Sequence, residues 1–304
     1  MYPAKILLFG EYSLLCGSKA LAVPFRNYFG KWSKSEYCAE FTHVLVKFAN
    51  YLEDAEEVPF SMDIQKFRKD IASGLYFESS VPISYGVGSS GALCAAFYGN
   101  YVNNPIPHDC PDNQLPDLKK HLSFLESYFH GSSSGMDPMV SYTNAALFFD
   151  GKGTIKRISM AGEIWEKISV FLIDTKRHGN TGANIKLFNE MLHENYYARE
   201  IQTNYNKLVN RCIDDFMEHK ATDFVSSVNK LSHKQQSLFE PMILSEYLKY
   251  FHIDGDTSKF ALKLCGSGGG GFLLGFTSDL EYVNKQFTAE GLKVIPVKPN
   301  EYRK

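Results

Sequence analysis

The stretch 81–96 most constrains what this chain can fold into, because a glycine- and serine-rich turn there leads directly into a helix of small residues. Glycines allow several backbone N–H groups to point into one concavity, and the start of a helix adds further unpaired N–H groups. The hydroxyls of Ser89 and Ser90 can bond phosphate oxygens or Mg²⁺. A tight connection is the plainer interpretation, but two further stretches favour a phosphate site. The Lys-Ser/Thr ending of a Walker A loop is missing, which argues against a P-loop fold.

Composition places the chain among globular proteins and gives no support for a nucleic-acid partner. Its 304 residues are 44% hydrophobic and 22% charged, enough for a large core that divides most naturally into two domains. The net charge of −2 and the lack of a basic run predict no nucleic-acid binding. Six scattered cysteines indicate reduced thiols, and the apolar run 6–9 is too short for a signal peptide or a membrane span. We therefore expect a cytoplasmic protein without a membrane partner.

Hydrophobic patterns predict separate groups of helices and strands, which is typical of the α+β class. The strands are expected at 6–9, 145–149, 168–174, 260–264, 272–276 and 292–297. The helices are expected at 36–52, 91–102, 118–129, 185–220, 223–238 and 244–251. The order of these elements predicts an N-terminal domain over 1–165 and a C-terminal domain over 166–304.

A second glycine-rich stretch, 266–271, lies between two apolar strands and holds five glycines in six residues. Each glycine costs conformational entropy, and a hairpin needs only one or two of them. The excess predicts that another backbone segment or a ligand approaches this stretch closely.

The segment 3–12 (Pro-Ala-Lys-Ile-Leu-Leu-Phe-Gly-Glu-Tyr) and the two glycine-rich stretches resemble the three signature motifs of the GHMP kinase superfamily, in the family's order. A fourth segment, 126–137, resembles the pattern Glu-x-x-x-His-Gly-x-x-Ser-Gly-x-Asp of the mevalonate kinase branch. The segment 174–181 is similar to a part of that branch that ends in threonine. Tyr12 stands where that branch usually has histidine, and in this it looks more like phosphomevalonate kinases.

The resemblance implies a two-domain α+β fold with a ribosomal-S5-like N-terminal domain and a ferredoxin-like C-terminal domain. The active site would lie in the cleft between them. ATP and Mg²⁺ are the implied cofactors, with Mg²⁺ held by Ser90 and Glu126. The residues implied to hold ATP are Gly86, Val87, Gly88, Ser89, Ser90, Gly91, Gly268 and Gly269.

By the same resemblance, Asp137 and Lys5 are the expected catalytic residues of a phosphoryl transfer. Asp137 would accept or orient the proton of the substrate hydroxyl. The Lys5 ammonium would favour the ionised carboxylate and could polarise the attacking oxygen. Tyr12, His178 and Thr181 are the expected substrate contacts.

Several of these side chains also have a plainer interpretation. Lys5 beside a strand could be solvated, and Glu126 on a helix could be a surface charge. Asp137 before Pro138 could cap a helix that has proline in its first turn. For His130, a structural hydrogen bond is a plainer interpretation than a role in proton transfer.

The expected reaction is the phosphorylation of mevalonate to 5-phosphomevalonate, a step of isoprenoid synthesis. Phosphomevalonate kinase, a sugar-1-kinase and diphosphomevalonate decarboxylase are the alternatives within the superfamily. A basic cluster of Lys176, Arg177 and Lys186 could hold a substrate phosphate and would favour the first or the last of these. The alternative of another class is a ligand-binding regulator without catalysis, which the joint presence of Lys5, Glu126 and Asp137 disfavours. The expected partner is a small molecule, and the protein would be a monomer or a homodimer.

Overall fold

The computed structural model describes residues 1–35, 39–131, 133–251 and 259–297, with the backbone alone at 39–41. These residues form two antiparallel sheets. In the first sheet the order is β1-β2-β4-β5, with β3 beside the far end of β2. Its strands are β1 (Tyr2–Phe9), β2 (Ala20–Lys34), β3 (Leu75–Ser79), β4 (Ala146–Phe149) and β5 (Ile155–Ile158). The second sheet has the order β7-β8-β6-β9. Its strands are β6 (Ser169–Asp174), β7 (Phe260–Leu264), β8 (Phe272–Thr277) and β9 (Lys293–Val297).

Helices connect the strands in both parts of the chain. Those in the first part are α1 (Ala39–Asp54), α2 (Ile64–Ala72), α3 (Ser89–Tyr101), α4 (Leu115–His130) and α5 (Met136–Thr143). Those that follow are α6 (Ile164–Lys167), α7 (Thr181–Met191), α8 (Asn195–Glu200), α9 (Asn206–Met217), α10 (Ala221–Phe239) and α11 (Leu280–Ala289). Short 3₁₀ helices occupy Ser13–Cys16, Asp112–Gln114, Glu240–Met242 and Ser245–Tyr250, and a π-helical turn occupies Ile201–Tyr205.

The architecture confirms the predicted α+β class and the six predicted strands, each to within a few residues. The predicted helix 185–220 is divided into α7, α8, the π-helical turn and α9. The first three residues of the predicted helix 36–52 lie outside the described residues. The domain boundary at 165/166 stays a prediction, and it falls inside α6.

The longest strand, β2, is absent from the predicted strands although it connects three others. It is fifteen residues long and pairs with β1, β3 and β4. Pro24 lies inside it and has no N–H to donate, and Gly30 follows, so the sequence does not show an uninterrupted strand pattern. The first six residues of β2 are nevertheless buried, which fixes it in the centre of the sheet.

The hydrophobic core extends across both sheets. One cluster of buried side chains lies between the first sheet and α1–α5. A second cluster joins the other face of β1, including Phe9, to β6–β8 and to α7, α9 and α10. Among the described helices, none combines the length and the apolar composition that crossing a bilayer would require.

Candidate active site

A cavity of about 690 Å³ lies where the glycine- and serine-rich turn 82–88, called the phosphate turn below, meets segments from the second part of the chain. Its walls are formed by the segments 82–90, 129–130, 178–182 and 266–267, together with Lys5 and Asp137. The starts of two helices, α3 at Ser89 and α7 at Thr181, both open onto it. The first turn of α3 has no side-chain cap, whereas the Asn180 side chain accepts from the Ala183 N–H of α7, so the unpaired N–H groups of α3 above all favour an anionic ligand there.

The two glycine-rich stretches touch each other backbone to backbone below the cavity. Gly86 and Gly266 have φ angles of 77° and 72°, which residues with a side chain rarely adopt. A Cβ at Gly86 would lie 2.2 Å from the carbonyl oxygen of Cys265, and one at Gly266 would lie 3.0 Å from the Cα of Gly86. The predicted close approach at 266–271 is thus confirmed, and the approaching group is another main chain.

Lys5 and Asp137 form an ion pair beside the phosphate turn, with 3.1 Å between Nζ and Oδ1. Both residues line the cavity, and Asp137 is the more exposed of the two, with 27% of its side chain exposed against 5% for Lys5. Lys5 Nζ also donates to the Gly86 carbonyl oxygen at 3.3 Å, and the Lys5 N–H donates to that of Val87 at 2.9 Å. β1, the turn and α5 are therefore held together at one point.

The plainer interpretations of three charged residues are wrong. Lys5 and Glu126 are both buried rather than solvated. α5 begins at Met136 with Gly135 as its N-cap and without a side-chain cap, so Asp137 does not cap the helix. Its carboxylate forms an ion pair with Lys5 instead.

A second polar group surrounds the buried carboxyl of Glu126 on α4. Ser90 Oγ donates to Glu126 Oε1 at 3.3 Å and lies 3.1 Å from Nε2 of His130. Ser133 Oγ donates to the other carboxyl oxygen. Burial, and then the nearby charge of Asp137, raise the pKa of Glu126 to about 8. Partial burial lowers the pKa of His130, against the opposing effect of Asp137.

Two of the three predicted substrate contacts line the cavity. His178 lies at its rim, with Nδ1 3.2 Å from the carbonyl oxygen of Ile83. Thr181 is the first residue of α7, and its hydroxyl accepts from Ser267 Oγ at 3.2 Å. Both therefore lie between the phosphate turn and the second glycine-rich stretch.

Tyr12, the third predicted substrate contact, is placed elsewhere. Its side chain is buried between Phe188 and Phe239, with ring centroids at 4.6 and 5.1 Å. Its hydroxyl donates to the Ser267 carbonyl oxygen at 2.6 Å. Because the chain turns after β1 and directs this ring into the core, Tyr12 does not line the cavity.

Three of the glycines expected to hold ATP are also away from the cavity wall. Gly91 packs against the backbone of Asp137, where a Cβ would lie 2.8 Å from its carbonyl carbon. A Cβ at Gly268 would lie 2.4 Å from the Met242 carbonyl oxygen, which accepts from the Gly269 N–H at 2.6 Å, and a Cβ at Gly269 would lie 2.8 Å from Nδ2 of Asn184. These positions need glycine for close packing. By contrast, the predicted residues 86–90 all line the cavity.

The basic cluster proposed from the sequence does not form at the cavity. Lys176 donates to the Gly291 carbonyl oxygen at 3.1 Å, and Lys186 lies 3.8 Å from Glu190 on the exposed side of α7. Arg177 is exposed but is not among the lining residues. Among the described residues that line the cavity, Lys5 is the one lysine or arginine.

Several residues of the site are absent from the predicted set. Ser133 belongs to the run 132–134 of three serines just before Gly135. Three adjacent hydroxyls at a turn are the sequence feature from which a polar contact there could have been predicted. Ser132 itself lies outside the described residues. Asn180 and Ser267 line the cavity from loops whose proximity the sequence does not encode locally. Two further charged residues, outside the cavity, form an ion pair with each other. Lys263 lies within the apolar strand β7, and Glu11 follows the apolar strand β1.

Comparison with known proteins shows related sequences and a shared fold. No model of a protein family matches the chain. The mevalonate kinase of Pyrococcus horikoshii is 24% identical over 169 residues, which are 48% of this chain and 49% of that protein. A mevalonate kinase of Thermococcus onnurineus is 25% identical over 181 residues. The chain thus matches about half the length of these curated relatives.

Solved structures match over nearly the whole chain, at low identity. A structure of L. major mevalonate kinase in complex with R-mevalonate has a TM-score of 0.65 at 14% identity, covering 98% of this chain and 95% of that one. Streptococcus pneumoniae phosphomevalonate kinase with phosphomevalonate and AMPPNP has a TM-score of 0.64 at 14% identity, covering 97% and 98%. Lactococcus lactis galactokinase with galactose has a TM-score of 0.65 at 12% identity, covering 98% and 92%. The chain has the fold that these enzymes share, and about half of its sequence is similar to that of the curated mevalonate kinases.

Proposed function

We propose that the protein is an ATP- and Mg²⁺-dependent kinase that phosphorylates a hydroxyl of a small molecule. The observation that carries this proposal is the Lys5–Asp137 ion pair, which lies against the phosphate turn with its carboxylate open to the cavity. Phosphoryl transfer needs charge compensation and in-line positioning more than covalent catalysis, and these groups supply both.

In the proposed reaction, the acceptor oxygen attacks the γ-phosphorus of ATP while the bond to the β-phosphate oxygen breaks and ADP leaves. The N–H groups of the turn 86–88 and of the start of α3 would hold the phosphates. Asp137 would take or orient the proton of the acceptor hydroxyl. Lys5, buried beside it, would stabilise the carboxylate and the negative charge that develops on the attacking oxygen.

The residues around Ser90 fit a magnesium ion. Ser90 Oγ and Glu126 Oε1 are 3.3 Å apart, and both are oxygen ligands of the kind Mg²⁺ prefers. In the described ranges no group of three or more His, Cys, Asp or Glu side chains forms a metal cluster, so phosphate oxygens and water would complete the coordination. Bound Mg²⁺ would offset the charge of the phosphates and that of the Glu126 carboxylate.

Mevalonate is the acceptor that the cavity supports best. Kinases that hold a phosphorylated acceptor need basic groups for its phosphate, whereas Lys176, Arg177 and Lys186 are away from the cavity. His178, Asn180, Thr181 and Ser267 offer hydrogen-bonding groups suited to a carboxylate and hydroxyls. Tyr12, the residue that resembled phosphomevalonate kinases, lies in the core and does not line the cavity, so it would not contact an acceptor directly.

A coupled ADP-release assay with ATP and Mg²⁺ tests this proposal. The acceptors are mevalonate, phosphomevalonate, diphosphomevalonate, galactose and homoserine, each at the same concentration. We expect turnover with mevalonate that exceeds turnover with the others by at least about tenfold, because a hydrogen bond to a charged group such as a carboxylate contributes about 1.5–3 kcal/mol. Turnover with phosphomevalonate alone would contradict the acceptor assignment, and no turnover with any hydroxyl acceptor would contradict the kinase assignment.

A further inference from the structure

Two residues that follow β1 connect the N-terminal segment 3–12 to the stretch 266–271 without facing the cavity. Glu11 is 3% exposed and forms an ion pair with Lys263, which is fully buried in β7. Next to it, the Tyr12 hydroxyl donates to the Ser267 carbonyl oxygen at 2.6 Å. Two consecutive side chains of the segment 3–12 thus bind β7 and the glycine-rich stretch that follows it.

The ion pair is unusual in its surroundings. The other four residues of β7 are Phe260, Ala261, Leu262 and Leu264, all buried. Lys263 Nζ also donates to the Leu264 carbonyl oxygen at 2.7 Å and lies 5.9 Å from the centre of the Phe9 ring. Removing two charges from water is costly, and a well-packed apolar pair of the same volume usually stabilises a fold at least as well. The ion pair therefore needs an explanation other than stability.

The geometry beyond Lys263 indicates what the pair fixes. Cys265 and Gly266, which are two and three residues after Lys263, contact Gly86 of the phosphate turn backbone to backbone. Ser267 then lines the cavity, and its carbonyl oxygen also accepts from Asn184 Nδ2 at 2.9 Å. A shift at the end of β7 would move both the floor and one wall of the cavity.

We propose that Glu11, Tyr12 and Lys263 are positioning residues, which hold the stretch 266–271 in the place where it can shape the cavity. The ion pair fixes the end of β7 because a charged group can exchange its partner only at high cost in a dry interior. The Tyr12 hydroxyl fixes the next turn of the chain through the Ser267 carbonyl. This inference rests on the proposed function only in the use of ATP as a probe.

Amide hydrogen exchange on the ligand-free full chain tests the proposal. The reporters are the N–H groups of Gly269 and Gly271, which donate to the carbonyl oxygens of Met242 and Arg177. One variant is Tyr12→Phe, which keeps the ring packed between Phe188 and Phe239. The other is the double variant Glu11→Leu/Lys263→Met, which removes both charges together. We expect both to speed exchange at the two reporters by about tenfold, because local opening becomes easier.

A second readout separates positioning from stability. The double variant should unfold at a urea concentration close to that of the wild type, since no unpaired charge remains buried. Its ATP affinity, measured by calorimetry, should nevertheless fall roughly fivefold, and Tyr12→Phe should lose a similar factor for one hydrogen bond. Tyr142→Phe is the matched control, because its hydroxyl also donates to a backbone carbonyl, that of Ile106 at 2.9 Å, away from the loop.

Wild-type exchange rates and ATP affinity in both variants would overturn the proposal. So would a double variant that loses ATP affinity only in proportion to a loss of stability. A wild-type protein that does not bind ATP would contradict the proposed function alone, because the exchange experiment uses no ligand.

Discussion

Lys5 carries a positive charge at a position that water barely reaches, and Asp137 explains how it can. Burial has the largest single effect and would lower the pKa of Lys5, but the charge and hydrogen bond of Asp137, together with the smaller effects of Cys265 and Glu11, outweigh it and raise the pKa above its ordinary value. The ammonium therefore stays charged throughout the physiological range. A carboxylate held this way, with one side on Lys5 and the other on the cavity, has the arrangement that proton acceptance from a bound hydroxyl requires.

Replacing Asp137 tests this arrangement most directly. Asp137→Asn keeps the size of the side chain and removes its basicity, so we expect turnover to fall by about a thousandfold. ATP affinity should not weaken, because a negative charge near the phosphates is lost. Steady-state kinetics and calorimetry measure the two quantities. Asp214→Asn, which breaks the Lys19–Asp214 surface pair, is the control and should keep wild-type turnover; a similar turnover in both variants would contradict the assignment.

The buried carboxyl of Glu126 makes the stability of the protein depend on pH when metal and nucleotide are removed. Its pKa is about 8 in the folded state against an ordinary value of 4.5. Between these values the folded state holds a proton that the unfolded chain releases, so the free energy of unfolding falls as pH rises. The contribution is complete below the ordinary value and is lost as the pH passes the folded-state pKa.

Urea unfolding in the presence of a chelator, at several values from about pH 5 to pH 8, measures this effect. Glu126→Gln removes the titrating group, and we expect its free energy of unfolding to decline less with pH than that of the wild type. Glu163→Gln, at an exposed ion pair with Lys167, should follow the wild type. Parallel curves for the wild type and Glu126→Gln would show that this carboxyl is not the cause.

At the scale of elements, α3 and α5 meet through a glycine. A Cβ at Gly91 would lie 2.8 Å from the carbonyl carbon of Asp137 and 2.9 Å from the nitrogen of Pro138. These are backbone atoms, which cannot move aside as a flexible side chain can. The first turn of α3 therefore fixes the position of the helix that carries Asp137.

Gly91→Ala should destabilise the protein by about 1–3 kcal/mol through overpacking, although alanine favours a helix by about 1 kcal/mol over glycine. Turnover should fall with it, because α5 must shift. Gly182→Ala in α7 is the control, since the nearest atom to its Cβ would be Asn180 Oδ1 at 3.9 Å. We expect that variant to be neutral or slightly more stable. Urea unfolding compares them, and an unchanged stability of Gly91→Ala would contradict the tight contact.

The elements that the sequence could predict are those whose signal is local. β1 and α3 follow from an apolar run ended by Gly10 and from small residues after a glycine-rich turn. β2 could not be predicted, because its interior contains Pro24 and because pairing with three other strands, rather than its own pattern, defines it. The division of 185–220 depends on packing between helices, which a continuous polar–apolar pattern does not reveal.

The same distinction applies to the candidate site. The placements of Lys5, Asp137, Ser90 and Glu126 could be anticipated because each belongs to a motif. The placement of Tyr12 in the core depends on Phe188 and Phe239, which are far away in sequence. The Glu11–Lys263 pair joins residues 252 positions apart, and no local pattern encodes such a contact.

Considered as a whole, the molecule is held together by a core that both sheets share. Phe9, at the end of β1, stacks on Phe276 of β8 with ring centroids 5.3 Å apart, and its edge meets Phe224 of α10 at 6.0 Å. The first strand of one sheet thus packs into the centre of the other. We expect the two parts of the chain to unfold together, because neither keeps an intact core without the other.

The two tryptophans allow this expectation to be measured. Trp32 lies on β2, and Trp165 packs against Phe216 of α9. In each variant that keeps one tryptophan, the fluorescence of that residue should give the same urea midpoint as the circular dichroism of the whole chain. Phe9→Ala should lower the free energy of unfolding by about 3–5 kcal/mol and shift both midpoints together. Phe29→Ala removes the same group from a side chain that is 37% exposed and should cost much less. Two separate midpoints would contradict a shared core.

The contact between the two glycine-rich stretches has a consequence for how this protein could acquire another ligand. Below the cavity, Gly86 and Gly266 meet main chain to main chain, so no side chain there can be exchanged to alter shape or polarity. We therefore expect adaptation by point mutation away from this contact, for example at the rim, where Ile83, His178 and Asn180 carry side chains. Natural variation and laboratory selection for a different acceptor should accumulate at that rim and leave the floor unchanged.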